Sequence, residues 1–418
     1  MQKLFFGFAV ALILLLFTHC SKDNSSGAGK DPKAQQKPIK ISAPVANNIT
    51  DFSFSFFRQL QKDPKVSGNV FASPLSLHIA LGMLVNGATD ETKAEIMDVL
   101  KAGNLTQDEL NEAYKTLLAE LPKADKKVNL GLANSVWYKN NFPVEKSYLT
   151  TMKDVFEAQI TGLPFAPGDE KIINQWASDK TNGKIKEVLK EISPDAIMFL
   201  LNALYFKGDW AMQFDKKYTV AKPFNLQDGT TKNVQMMNQT AHLNYTGNSD
   251  FRLLELPYGN QQFVATLILP QEGKTIESVM DDLTGEKWQA AQKSLGDREV
   301  EVGLPKFSLE QKFELNDMLQ ALGMKRAFSP SDVELYGLYN PLGKGNKVFV
   351  SFVKQNTFLQ VDEEGSEAAA VTTIGMELTS AGPGVDTKVR FICDRPFGLV
   401  IGEKTSNTIL FMGKIVNP

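Results

Sequence analysis

"EEGSEAAAVTTIGMELTSAGPGV", Glu363–Val385, is the stretch on which the reading of this chain turns. Glu367 and the three alanines after it could open a helix, whereas Val371, Thr372, Thr373, Ile374 and Gly375 favour extended chain. A Gly-Pro-Gly closes the stretch, and no Lys or Arg occurs from Gln355 to Thr387. Side chains of a strand alternate between two faces. Counted from Ser366, one face holds Ser366, Ala368, Ala370, Thr372, Ile374 and Met376. The other holds Glu367, Ala369, Val371, Thr373, Gly375 and Glu377. Both glutamates fall on the second face, so the first could be buried while the second stays in water. The same residues also fit a polar surface loop with alanines by chance, and parity over so short a stretch does not separate the two.

The chain around this stretch has 418 residues and a formal net charge of -3. It is long enough for a large core. Its mild acidity, without a basic run interleaved with aromatics, argues against a nucleic-acid partner. Two cysteines, Cys20 and Cys393, leave no disulfide framework. At the N-terminus Lys3 precedes an apolar run from Leu4 to Phe17, too short for a comfortable bilayer span and suited to a signal-peptide core. Cys20 follows directly, an arrangement that resembles a bacterial lipoprotein signal, in which the cysteine is lipidated. Phe17 and His19 depart from that pattern, and ordinary secretion with an incidental cysteine is the alternative. "SKDNSSGAGKDPKAQQKPIKISAP" then lacks an apolar periodicity and reads as a flexible tether. The expected division is a signal peptide over 1–19, a tether over 20–44 and one folded domain over 45–418.

Within that domain "NVFASPLSLHIALGMLVNGATDETKAEIMDVL" is informative. Ser73 can cap a helix and Pro74 suits its first turn. Apolar residues from Leu75 to Val85 then occur nearly all round, which predicts a buried helix. Gly87 can stop it and Thr89 can cap the next. Helical and strand-like runs alternate through the middle: "NLGLANSVWY" extended, "EKSYLTTMKDVFEA" and "EKIINQWASDKTNG" helical, then "FRLLELPY", "QQFVATLILP" and "EVEVGLPKFSLE" extended. The end, "VRFICDRPFGLVIGEKTSNTILFMGKIVNP", reads as a buried hairpin turning at "EKTSN". The mixture indicates an α+β fold.

Catalytic constellations are scarce. The mature chain has two histidines, His78 inside the apolar helix and His242 in a polar strand-like stretch without metal-ligand spacing. No Gly-x-Ser-x-Gly, phosphate loop or dinucleotide fingerprint occurs. Cys393, among Phe391, Ile392 and Pro396, reads as a core thiol. An enzyme is disfavoured, and no cofactor or metal is expected.

"NVFASPLSLHIALGMLVNGATDETKAEI", "LNALYFKGDW", "LPKFSLE", "VDEEGSEAAA", "DRPFGLVI" and "LFMGKIVNP" closely resemble serpin motifs, in serpin order, from about Val45 to Pro418. The resemblance implies three β-sheets, about nine helices and an exposed reactive-centre loop, here about 364–387. It implies an irreversible inhibitor that a serine protease cleaves as a substrate. The cut loop then inserts as a central strand and traps the covalent 1:1 acyl-enzyme. Glu363 and Gly365 match the turn into the hinge, Ser366 the residue that enters the sheet first, and Glu367, Ala368, Ala369 and Ala370 the rest of the hinge. Ser73, Ser76 and Asn202 match the polar shutter beneath the opening strands. Gln355 occupies a shutter position that is often His in animal serpins. Trp210 matches the tryptophan at the top of the sheet. Hinge spacing places the reactive bond at Thr379–Ser380, with Met376 and Leu378 as alternatives. Gly398 stands where a large apolar residue is usual, which is expected to soften that strand.

With no basic residue in the loop, elastase-like, chymotrypsin-like or subtilisin-like targets are expected rather than trypsin-like ones. The picture is a monomer at the cell surface, secreted and held to a membrane by lipid on Cys20. A non-inhibitory serpin-fold surface protein is the alternative within the fold. A surface hydrolase or a glycan-binding lipoprotein is the alternative outside it.

Overall fold

In the computed structural model, residues 36–340, 348–366 and 388–418 are described. Among them are nine α-helices: α1 (Ala43–Gln61), α2 (Pro74–Val85), α3 (Asp90–Val99), α4 (Gln107–Glu120), α5 (Lys146–Asp154), α6 (Asp169–Lys180), α7 (Ile276–Asp282), α8 (Gly285–Lys293) and α9 (Asn316–Ala321). The strands are β1 (Val70–Ala72), β2 (Val128–Lys139), β3 (Gln159–Leu163), β4 (Met198–Asp209), β5 (Val220–Asn225), β6 (Thr231–Gly247), β7 (Phe251–Pro257) and β8 (Phe263–Pro270). They continue as β9 (Gly296–Pro305), β10 (Phe307–Glu314), β11 (Lys354–Val361), β12 (Gly365–Ser366), β13 (Val389–Ile392), β14 (Phe397–Glu403) and β15 (Thr408–Ile415).

Helix α2 lies where its composition puts it, with every residue except Ala80 buried. Ser73 Oγ accepts the Ser76 amide at 3.1 Å and Pro74 fills the first position, so the helix start is capped. The helix ends at Asn86. Gly87 follows, where a Cβ would crowd Leu338 Cβ at 3.0 Å and Tyr148 at 3.2 Å. Thr89 flanks α3, but its side chain makes no cap bond. Glu334 supplies that function from far along the chain, its Oε2 accepting the Thr92 amide at 3.2 Å.

Two ladders organise the strands. The six-stranded sheet runs β10-β11-β12-β4-β2-β3. The nine-stranded sheet runs β1-β15-β14-β8-β7-β6-β9-β13, with β5 also on β6. Two of the three sheets implied by the resemblance thus form one ladder. The 17-residue β6 pairs with β5 and β9 along most of its length and with β7 through Tyr245–Gly247. A strand that long carries its backbone hydrogen bonds from one layer into the next.

The C-terminal hairpin is β14 and β15, antiparallel and buried at nearly every position. Glu403 closes its turn by accepting the amides of Thr405 at 2.9 Å and Ser406 at 2.8 Å. Gly398 does not soften β14. A Cβ there would lie 3.1 Å from Ile268 Cβ and 3.2 Å from Met280 Sδ, so α7 and β8 occupy the space a large side chain would need.

The tether also ends earlier than expected. Residues 43 and 44 are already in α1, and the segment before it is docked. Ile39 is buried and its amide donates to Thr405 Oγ1 at 2.9 Å, while Gln262 Nε2 donates to the Lys37 carbonyl at 2.9 Å. One buried apolar side chain and these backbone partners hold a stretch whose composition alone reads as tether.

Candidate functional site

The gap between β4 and β11 is the feature around which the matched residues gather. Among the described residues β4 and β11 share no ladder with each other. The two residues of β12 sit between them, antiparallel to both, with Ser366 opposite Val361 on β11 and Gly208 on β4. Ser366 is 0% exposed, and its Oγ lies 2.7 Å from the hydroxyl of the buried Tyr258. Trp210 stacks on that tyrosine, centroids 4.4 Å apart and planes at 13°. Gly365 is required here, because a Cβ would fall 2.0 Å from the Gly208 carbonyl oxygen.

A charged turn delivers the chain to this point. Asp362 Oδ1 accepts the Glu364 amide at 3.0 Å, and the Asp362 amide donates to the Gly365 carbonyl at 3.0 Å. Trp210 Nε1 donates to the Asp362 carbonyl and its amide to the Glu364 carbonyl, both at 2.9 Å. Lys216 pairs with Glu364 at 2.6 Å. The buried Glu363 carboxylate receives Lys306 Nζ at 2.7 Å and Thr219 Oγ1 at 2.8 Å. Burial pushes the Glu363 carboxyl up, but the Lys306 and Thr219 hydrogen bonds outweigh it and hold it below the usual carboxylate value. Residues 363–366, where the loop was expected to begin, are therefore clamped.

Lower in the sheet, Ser73 Oγ donates to the Leu410 carbonyl at 2.8 Å. Gln355 exchanges two bonds with the Ser73 backbone, accepting its amide at 2.9 Å and donating to its carbonyl at 2.8 Å. The buried Ser76 gives its amide to Ser73. Asn202 bonds elsewhere. Its Nδ2 donates to Asn134 Oδ1 on β2 at 2.7 Å, and its buried Oδ1 has no partner among the described residues. Beneath this layer His78 is fully buried. Asn48 Oδ1, 3.2 Å away, can only accept, so His78 Nε2 donates to it. Nδ1 is left to accept from the Tyr114 hydroxyl at 2.9 Å. Burial lowers the imidazole pKa to about 3, so it is a neutral packing element. His242 is exposed, 2.9 Å from Asp297. Cys393 is buried, and burial raises its thiol pKa.

Sequence reading missed Tyr258, Lys306, Thr219, Lys216 and Asn134. Of these only Lys306 lies in a quoted motif, "LPKFSLE", and each acquires its role only by meeting a distant partner. Glu367 and Ala368–Ala370 of the hinge, the bond residues Thr379 and Ser380, their alternatives Met376 and Leu378, and Cys20 lie outside the described residues.

A fold with a six-stranded sheet held open at one ladder, and a clamped hinge feeding it, defines a class. The family profile described as Serpin (serine protease inhibitor) matches residues 47–418, and this chain belongs to the serpin family. It is 33% identical to mouse antithrombin-III, covering 97% of this chain and 88% of that one. A serpin-like protein of Thermococcus kodakarensis is 32% identical, with coverages of 90% and 86%. Among solved structures, native tengpin, a thermophilic serpin, superposes with a TM-score of 0.82 at 30% identity, covering 91% of this chain and 96% of that one. Human thyroxine-binding globulin superposes with a TM-score of 0.79 at 27% identity, with coverages of 90% and 98%.

Proposed function

We propose that this protein is a suicide-substrate inhibitor of elastase-like, chymotrypsin-like or subtilisin-like serine proteases. The observation that carries the reading is β12, where two hinge residues already form a central strand with open ladders below. Stepping that register onward, Ala368 would meet Phe206 and Leu359, Ala370 would meet Leu204 and Thr357, and Thr372 would meet Asn202 and Gln355. Apart from Asn202 those strand residues are buried, and the loop face that meets them is the small, uncharged one. Glu367 would fall on the other face, opposite Lys207 and Gln360, which are partly exposed.

In the proposed reaction the protease serine attacks the Thr379 carbonyl. The Thr379–Ser380 peptide bond breaks, an ester to Thr379 forms, and Ser380 becomes a new N-terminus. Fourteen residues from Ser366 to Thr379 span about 46 Å at roughly 3.3 Å each, so insertion drags the tethered protease along the sheet. The ester is trapped if insertion outruns its hydrolysis.

Thyroxine-binding globulin, a carrier by its name, has the same fold, so fold alone does not decide the activity. The small, uncharged hinge favours inhibitor over carrier. Mixing the protein with elastase, chymotrypsin, subtilisin and trypsin and running a denaturing gel tests this. A band surviving SDS at the summed mass is expected with the first three. Loop cleavage without that band by all of them would refute inhibition. Cys20 is proposed to carry the lipid that holds the domain at a membrane surface. Cys20→Ala should move it to the soluble fraction of a lipoprotein-processing host, and wild type already soluble there would refute the anchor.

A further inference from the structure

The chain reaches α1 through a segment whose side chains alternate. Lys40 and Ser42 are exposed, whereas Ile39 is buried and Ile41 packs against the main core. Period two marks extended backbone, yet residues 36–42 belong to no strand. Two turns of the folded body hold them instead. Gln36 Nε2 donates to the Asn260 carbonyl and Gln262 Nε2 to the Lys37 carbonyl, both at 2.9 Å. The Ile39 amide donates to Thr405 Oγ1 at 2.9 Å. Lys37 also pairs with Glu120, at the end of α4, at 2.7 Å.

Asn260 and Gln262 lie in the turn 258–262 between β7 and β8. That turn opens with Tyr258, whose hydroxyl meets Ser366 Oγ and whose ring stacks on Trp210. Gly259 donates its amide to the Asp209 carbonyl, at the end of β4, at 2.9 Å. One turn therefore touches the segment before α1 on one side and the hinge on the other. From Gln36 to Ser366 the path is two hydrogen bonds and the backbone from Asn260 to Tyr258. Contiguous contacts of this kind carry coupling between distant sites. Asp125 Oδ2 also holds the turn, accepting the Asn260 amide at 2.6 Å, so lifting the segment loosens the turn without melting it.

We propose that residues 36–39 are a strap across the β7–β8 turn, and that the turn passes the strap's docking to the hinge through Tyr258. Lifting the strap, by a cut or by a partner that takes up the N-terminal segment, loosens Ser366 in the sheet without touching it. The proposal goes beyond the inhibitor reading and does not depend on it. Hydrogen exchange on the whole protein is the test. The amides of Trp210 and Asp362, which donate to the Glu364 and Gly365 carbonyls, report the hinge, and those of the buried α2 report the body. Gln36→Ala with Ile39→Ser removes the strap's side-chain anchors. Hinge exchange should rise about tenfold, roughly the worth of one hydrogen bond, while α2 stays as in wild type. Tyr258→Phe breaks the link to Ser366, so adding the strap substitutions to it should leave hinge exchange where Tyr258→Phe alone puts it. Should the strap pair fail to fold, Gln36→Ala alone carries the same comparison with a smaller rise. Unchanged hinge exchange in the strap variant, a rise shared equally by α2, or an equal rise with and without the Tyr258 hydroxyl would each overturn the coupling.

Discussion

Replacing Ser366 with arginine puts a guanidinium at a point that is 0% exposed, between β11 and β4 and against the Tyr258 hydroxyl. The nearest turn carboxylates are already engaged, Glu363 by Lys306 and Thr219 and Glu364 by Lys216. An unpaired buried charge costs about 3–5 kcal/mol. Because Ser366 is buried before cleavage, the arginine first drives β12 out of the sheet; re-entry during insertion then carries the cost, and the lower figure slows it on the order of 100-fold. Ester hydrolysis, which the substitution does not touch, then wins. The expected outcome is a protein cleaved in its loop without accumulating the SDS-stable band. The stoichiometry of inhibition, from titration against elastase, should rise steeply. Ser366→Ala is the control: it removes one hydroxyl partner of Tyr258, about 1 kcal/mol, and stays small, so complex should still form. Undiminished complex with Ser366→Arg would show that position 366 is not buried in the trapping step, and the β12 argument would fail.

Cutting the loop with a non-target protease should raise the melting temperature by tens of degrees, because the inserted strand supplies the missing ladders of β4 and β11; an unchanged melt after a confirmed cut would remove the mechanism. Mass spectrometry of the fragment released on complex formation should find a new N-terminus at Ser380, and one before Gly375 would overturn the assignment. Gly398→Leu should destabilise the fold by about 1–3 kcal/mol, since Ile268, Ile276 and Met280 already fill that space, and an unaltered thermal melt would contradict the packing. The unfolded chain protonates His78 near 6.5, whereas the folded one resists until about 3. Stability from this group is therefore present above 6.5 and lost as pH falls toward 3, by up to about 5 kcal/mol. His78→Gln should flatten the acid limb of stability against pH, and an equally steep limb in the variant would refute the assignment.

Local pattern made much of this molecule legible. The buried α2, its cap at Ser73 and the C-terminal hairpin follow from residue type and period, because each depends on neighbours a few positions away. The small-residue face of the stretch from Ser366 onward was readable for the same reason. Other features needed the folded chain. The clamp on Glu363 joins residues 57 apart, the Ser366–Tyr258 bond spans 108, and the Ser73–Leu410 bond 337. No periodicity announces such partners, since buried polar groups are satisfied by whatever packing brings alongside. Asn202 shows this directly: the resemblance placed it in the shutter, and the strand beside it gave it Asn134 and left its carbonyl oxygen without a partner among the described residues. The docked segment before α1 and the tight fit at Gly398 were decided the same way. Composition reads the first as tether and the departure from the resembled pattern reads the second as a soft spot, and only the surfaces of other elements, Thr405 and Gln262 in one case and α7 and β8 in the other, make them ordered and close-packed.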